Sequence, residues 1–185
     1  VASVGRVSKR LPAGIDVEIE YRQPIAAGET IGRTGTDLLV VDRYAVRLPE
    51  TDLTDAERRY LPRISVGEGR PQIGQVWNDP RVLGGVRLAE QLSNVWLRLQ
   101  LMAIEPHRAT RGPMAMPPPF ALRTRGGTRI VWGAAPGDEG RQESPFADKL
   151  QRVQDYAAQH GDLGSIDGPK SLDVRRQLLI EPRTA

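Results

Sequence analysis

The alternation of apolar and polar positions along this chain reads as a series of short strands interrupted by two amphipathic helices. In FALRTRGGTRIVW, residues 120–132, two alternating runs flank Gly126 and Gly127, which can take the positive φ of a tight reversal, so the stretch predicts a β-hairpin. Strand alternation also sets its loop length. A two-residue loop would mix charge into both faces. A three-residue loop gathers Phe120, Leu122, Ile130 and Trp132 on one face and leaves Arg123 and Arg129 on the other. The apolar face then needs a lid, and the next helix supplies one. Ser144 reads as its N-cap and Pro145 as its first turn, while Phe146, Leu150, Val153 and Ala157 lie on one stripe that Gly161 ends.

The remaining elements follow from the same period counting. Ile15, Val17, Ile19 and Tyr21 alternate with Asp16, Glu18 and Glu20 as a half-buried strand, and Val1, Val4 and Val7 mark a partner strand. Two strands alone bury too little to be stable. Residues 38–41 and 44–48 predict a second hairpin about Asp42 and Arg43, closed by Pro49. Residues 51–60 predict one loose helical turn capped by Thr51 or Thr54. GEGRPQIG, within 63–77, has neither the spacing of a dinucleotide fingerprint nor a following Gly-Lys-Ser or Gly-Lys-Thr, and reads as a surface loop. Asp79 and Pro80 then open a helix to about Ser93, with Val82, Val86, Ala89, Leu92 and Trp96 at helical spacing. Gly84 and Gly85 weaken it by about 1 kcal/mol each relative to Ala, and close packing would be their reason. Leu97, Leu99 and Leu101 predict a strand over 95–104, directly after the helix. A proline-rich stretch follows, read as an extended flap carrying Met114 and Met116. SLDVRRQLLI, residues 171–180, closes the chain as a last strand. The order implies an α+β fold, a mostly antiparallel sheet with two main helices packed on one face.

Composition adds exclusions. With 39% hydrophobic and 26% charged residues and no long apolar run, the 185 residues read as a soluble domain rather than a membrane span. The chain opens at Val1, already in a strand-like run, which is expected of a piece of a longer polypeptide whose anchor would lie upstream. The lack of cysteine excludes disulfides and thiolate metal sites. Arginine outnumbers lysine 23 to 3 and carries the net charge of +3, but no basic block or nucleic-acid signature accompanies it, so no nucleic-acid partner is expected. His107 sits in the proline-rich stretch, His160 at a helix end where it can meet last-turn carbonyls, and Asp138 and Glu139 in a Gly-rich turn. With no HExxH and no nucleophile elbow, no enzyme, metal site or cofactor is expected. An exposed strand edge remains as the candidate functional element, since a peptide can be added there as an extra strand. Alternatively residues 171–180 pair inside their own sheet, with arginines guarding the edge.

Taken in order, several stretches resemble the extracytoplasmic part of the bacterial cell-division FtsQ/DivIB family. VASVGRVSKRLPAGIDVEIEYRQPIA is similar to the last hairpin of that family's POTRA domain, and LLVVDRYAVRLP to the segment after it. Leu61 and Pro62, FALRTRGGTRIVWG, the helix from Phe146 and the LDVR of Leu172 to Arg175 follow in the family's order. The resemblance implies residues 1–27 as the end of a POTRA-like domain and 28–185 as a β domain. It implies a single-pass protein anchored through a missing N-terminal segment, on the periplasmic face of the bacterial inner membrane. Its role would be non-catalytic, binding divisome partners of the FtsB/FtsL type by strand addition. Partner-binding residues would be Phe146, Lys149, Leu150 and Val153 on the helix, and Leu172, Val174, Arg175, Arg176, Leu178 and Ile180 on the last strand. The chain departs from the family where RRQLLIEPRTA, lacking Gly and Asn, follows that strand. Either a tight turn near Arg176 and Gln177 precedes a short final strand, or Leu172 to Ile180 is one strand. A different reading makes the chain an arginine-rich extracytoplasmic module for polyanions or cell wall.

Overall fold

The computed structural model describes residues 3–10, 12–32, 35–107, 118–161 and 163–183. The proline-rich stretch around Met114 and Met116 lies outside them. The fold is α+β. A two-stranded antiparallel ribbon, β1 (Ser3–Lys9) and β2 (Ile15–Glu20), comes first. The larger sheet contains β3 (Pro24–Ile31), β4 (Thr36–Asp42), β5 (Arg63–Gly67), β6 (Leu101–Pro106), β7 (Phe120–Thr124), β8 (Arg129–Gly133), β9 (Ser171–Asp173) and β10 (Leu179–Glu181). Its strand order is β10-β9-β8-β7-β6-β5-β3-β4. β3 pairs with β5, β5 with β6, and β8 with β9 in parallel, and the other neighbours are antiparallel. β3 runs across the expected division at 27/28, and the chain passes from ribbon to sheet over residues 21–23.

The 120–132 hairpin forms as its pattern requires. Leu122 faces Ile130 and Arg123 faces Arg129, the Thr124 amide donates to the Thr128 carbonyl at 3.0 Å, and Arg125, Gly126 and Gly127 make the three-residue loop. Gly127 takes φ +83° there. Phe120, Leu122, Ile130 and Trp132 are all buried. Across the whole sheet this face carries one register row: Leu39, Gly28, Ile64, Ile104, Leu122, Ile130, Leu172 and Ile180.

Both longer helices pack on that face. α2 (Pro80–Leu92) starts at Asp79, whose carboxylate accepts from the Arg81 amide, and it buries Val82, Val86, Leu88, Ala89 and Leu92. A Cβ on Gly84 would lie 2.6 Å from Phe120 Cζ, and one on Gly85 would lie 2.9 Å from Ile64, so both glycines let the helix approach the sheet. α3 (Phe146–His160) covers Trp132, with Phe146 and Trp132 ring centroids 5.3 Å apart. Its N-cap is Pro145 rather than Ser144. The Ser144 amide and hydroxyl donate instead to the Arg175 and Arg176 carbonyls, at 2.7 and 3.3 Å, and so are committed to another part of the chain. The short α1 (Asp55–Tyr60) has a capping box between Thr54 and Glu57.

Three predicted strands differ. Residues 95–100 are turns, and β6 starts only at Leu101. Val95, Trp96 and Leu99 fill the core below α2, Gln100 takes φ +53°, and Leu97 points to solvent. Residues 44–48 make only bridges, because the Asp42 carboxylate accepts from the Tyr44 and Val46 amides at 2.9 and 2.8 Å and forces a tight turn in which Ala45 has φ +57°. The main partner of β4 is β3. Residues 171–180 are not one strand; of the two alternatives, the turn near Arg176 and Gln177 before a short final strand is the one that forms. Asp173 accepts from the Arg175 amide at 3.1 Å, Val174 turns inward to donate to Val131, and the chain returns as β10.

Candidate functional site

A sheet offers a binding site where it stops, so its two rims decide what it can take up. At the β4 rim the chain folds back on itself: the Leu48 amide donates to Val40 at 2.8 Å, and the Asp42 amide to Val46 at 3.1 Å. At the opposite rim β10 pairs with β9 on one side, and among the described residues no strand lies on the other. The apolar register row makes this rim distinct. Its members from Leu39 to Leu172 are at most 3% exposed where they carry a side chain, whereas Ile180, opposite Leu172, is 48% exposed. Leu179, on the other face, is 55% exposed. The row stops at an open, half-covered isoleucine.

Polar contacts hold β9, β10 and the turn between them in place. Ser144 grips the two turn carbonyls, Arg152 Nη1 donates to the Val174 carbonyl at 2.9 Å, and Arg176 Nη2 donates to Gln142 Oε1 at 2.7 Å. Lys170 Nζ and the Ser171 hydroxyl donate to the two oxygens of Glu181 at 2.7 and 3.0 Å. These two bonds, Lys170 first, hold the Glu181 carboxyl below its ordinary pKa. Arg175 donates to both oxygens of Asp173 and lowers that carboxyl likewise, against a smaller opposing effect of burial. Between the turn and the loop before α3 lies a groove of about 690 Å³, lined by Gln142, Glu143, Asp173, Arg175, Gln177 and Leu179 among others.

The structure divides the predicted binding residues into two groups. Arg175, Arg176 and Ile180 are exposed, and Phe146, Leu150 and Leu178 are half-buried at the margin of the core. Lys149, Val153, Leu172 and Val174 are buried and cannot meet a partner. Val153, Leu172 and Val174 belong to the core between α3 and the sheet. Lys149 is drawn inward by charge: its ammonium donates to Glu143 at 2.7 Å and to the Ala134 carbonyl at 3.3 Å, 5.1 Å from the Trp132 ring centroid. Leu179 and Gln177 belong to the rim but were not predicted. Reading 171–180 as one strand places even-numbered residues on the binding face and passes over Leu179, whereas a strand at the rim exposes both faces.

The two histidines do not converge with acids at this rim. His160 stacks on Tyr156 with centroids 4.3 Å apart, and its Nδ1 lies 3.2 Å from the Tyr156 carbonyl. Among the described residues no group of three or more His, Asp or Glu side chains could hold a metal ion, and no helix is long and apolar enough to cross a membrane. What this arrangement can do chemically is hydrogen-bond an extended backbone and cover apolar side chains on either side of it. No family model matches the chain, and no curated protein matches it.

Proposed function

We propose that this chain is a non-catalytic, extracytoplasmic scaffold of the FtsQ type, which recruits partner proteins by accepting an extended segment as a ninth strand beside β10. The single observation that carries this reading is the apolar row, closed along the sheet and open at Ile180. A strand laid against β10 would place alternate side chains opposite Ile180, extending the row on the face that α3 covers, and would shelter Leu179 on the other. Completing the burial of two half-exposed aliphatic side chains contributes roughly 1 kcal/mol each, and the backbone bonds of the new ladder add register. Arg176 stands at the turn beside the strand, bonded to the neutral Gln142 side chain, where its charge steers acidic residues of the incoming segment. The order of the sequence motifs supports partners of the FtsB/FtsL type and a membrane anchor upstream. Arg43, Arg47, Arg81 and Arg175, on separate parts of the chain, lie within 3.1 Å of carboxylates, which speaks against an arginine-rich module that binds polyanions over its whole surface and favours the scaffold.

The test uses the extracytoplasmic segment of an FtsB-type protein as titrant. Ile180→Pro and Ile180→Glu are expected to weaken binding by at least about tenfold, or 1.4 kcal/mol, while Ile73→Glu, an exposed loop position, leaves it unchanged. Equal binding by all three variants, each folded by circular dichroism, would overturn the proposal.

A further inference from the structure

The face of the sheet turned away from the helices carries its own register row. Ala27 pairs with Arg63, Arg63 with Ala103, Ala103 with Arg123, Arg123 with Arg129, and Arg129 with Ser171. Three arginines on three strands therefore stand in a single line across the sheet, with small residues beside them. Arg123 and Arg129 are direct neighbours. The Arg129 amide donates toward β9, to Lys170 at 3.1 Å, so this pair is of the non-hydrogen-bonded kind, whose Cα atoms approach to about 4.5 Å. Like charges so placed repel each other. Glu105 offsets the repulsion only in part, accepting from Arg123 Nε at 2.5 Å. Among the described residues the guanidinium groups of Arg63 and Arg129 have no side-chain partner. Arg125, at the tip of the same hairpin, adds a further cation 6.0 Å from the exposed Tyr60 ring.

A line of cations with unmet donors fits an anion of matching shape. The next row along the strands contains Glu29, Glu105 and Asp173, so the positive region is a stripe, and a flat anionic membrane surface would press against those acids as well. A linear polymer would not. The closeness of Arg123 and Arg129 selects among polymers. In a phosphate chain each interior unit carries its charge on the backbone itself and has two diverging unbridged oxygens, one for each guanidinium, whereas the carboxylates of an acidic polypeptide sit on flexible side chains whose ordering costs entropy. We propose that Arg63, Arg123 and Arg129 form a binding stripe for a linear phosphate polymer, on the face opposite the helices and independent of strand addition at β10.

Inorganic polyphosphate is the probe, titrated at two or more salt concentrations. The stripe requires that Arg63→Gln/Arg129→Gln weaken binding at least about tenfold at low salt and reduce the slope of log K against log salt by about one per arginine. Arg98→Gln/Arg141→Gln, the same charge change elsewhere, should bind as the unaltered chain does, and polyglutamate of equal charge at least about tenfold more weakly. Equal loss in both double variants, equal binding of polyglutamate, or binding to phosphatidylglycerol vesicles without binding to polyphosphate would each overturn the proposal. Both variants should retain the melting temperature and the affinity for the FtsB-type segment.

Discussion

An alanine at position 85 would raise the intrinsic helix preference of α2 by about 1 kcal/mol, yet its Cβ would meet Ile64 at 2.9 Å, where neither helix nor sheet can give way freely. Overpacking costs about 1–3 kcal/mol, so Gly85→Ala is expected to lower the melting temperature. A rise would contradict the packing described for α2. Lys149 poses the reverse problem. Lysine is rarely fully buried without a partner, and period counting along α3 treats it as a surface residue. The carboxylate that draws it inward, Glu143, lies in a loop that no helical period reveals. Lys149→Ala leaves Glu143 and the Ala134 carbonyl without their ammonium and should cost about 3 kcal/mol in denaturant unfolding. Lys149→Met/Glu143→Gln should recover most of that loss. If the single variant were as stable as the parent, the pair would be ornamental.

Among elements, the 120–133 hairpin and both long helices were legible because their information is local: alternation about a Gly-Gly turn, and an apolar stripe after a proline. The end of the chain was legible only as two alternatives. Whether 171–181 is one strand or two depends on Asp173 capturing the Arg175 amide and on Ser144, some thirty residues earlier, holding the turn carbonyls. The parallel pairing of β8 with β9 leaves no mark in the sequence of either strand. The candidate binding residues therefore fall into two groups. Ile180, Arg175 and Arg176 are at the rim, while Leu172 and Val174 were assigned to a surface although they turn inward. The same contacts give this end a pH dependence. Asp173 and Glu181 have folded pKa values below their ordinary 3.8 and 4.5, so each binds protons more weakly folded than unfolded. Their contribution is complete above those ordinary values and is lost as pH falls through the lowered ones. On acidification below about pH 4, amide protection relative to the unfolded chain at the same pH should fall over 171–181 before it does in β7 and β8. A simultaneous fall across the sheet would contradict this.

For the whole molecule, one row of apolar side chains and one row of arginines run across opposite faces of the same sheet. Chain reversal protects the β4 rim, while among the described residues no strand lies beyond β10. Under the proposed function these features make a surface that extends itself by pairing. The most direct measurement is hydrogen exchange of the complete chain with and without the FtsB-type segment. New protection is expected at the Ile180 amide, which points away from β9 because Leu172 opposite it bonds β8, with the β4 rim and the β1–β2 ribbon unchanged. Protection confined to the ribbon or to β4, with β10 exchanging as before, would contradict it.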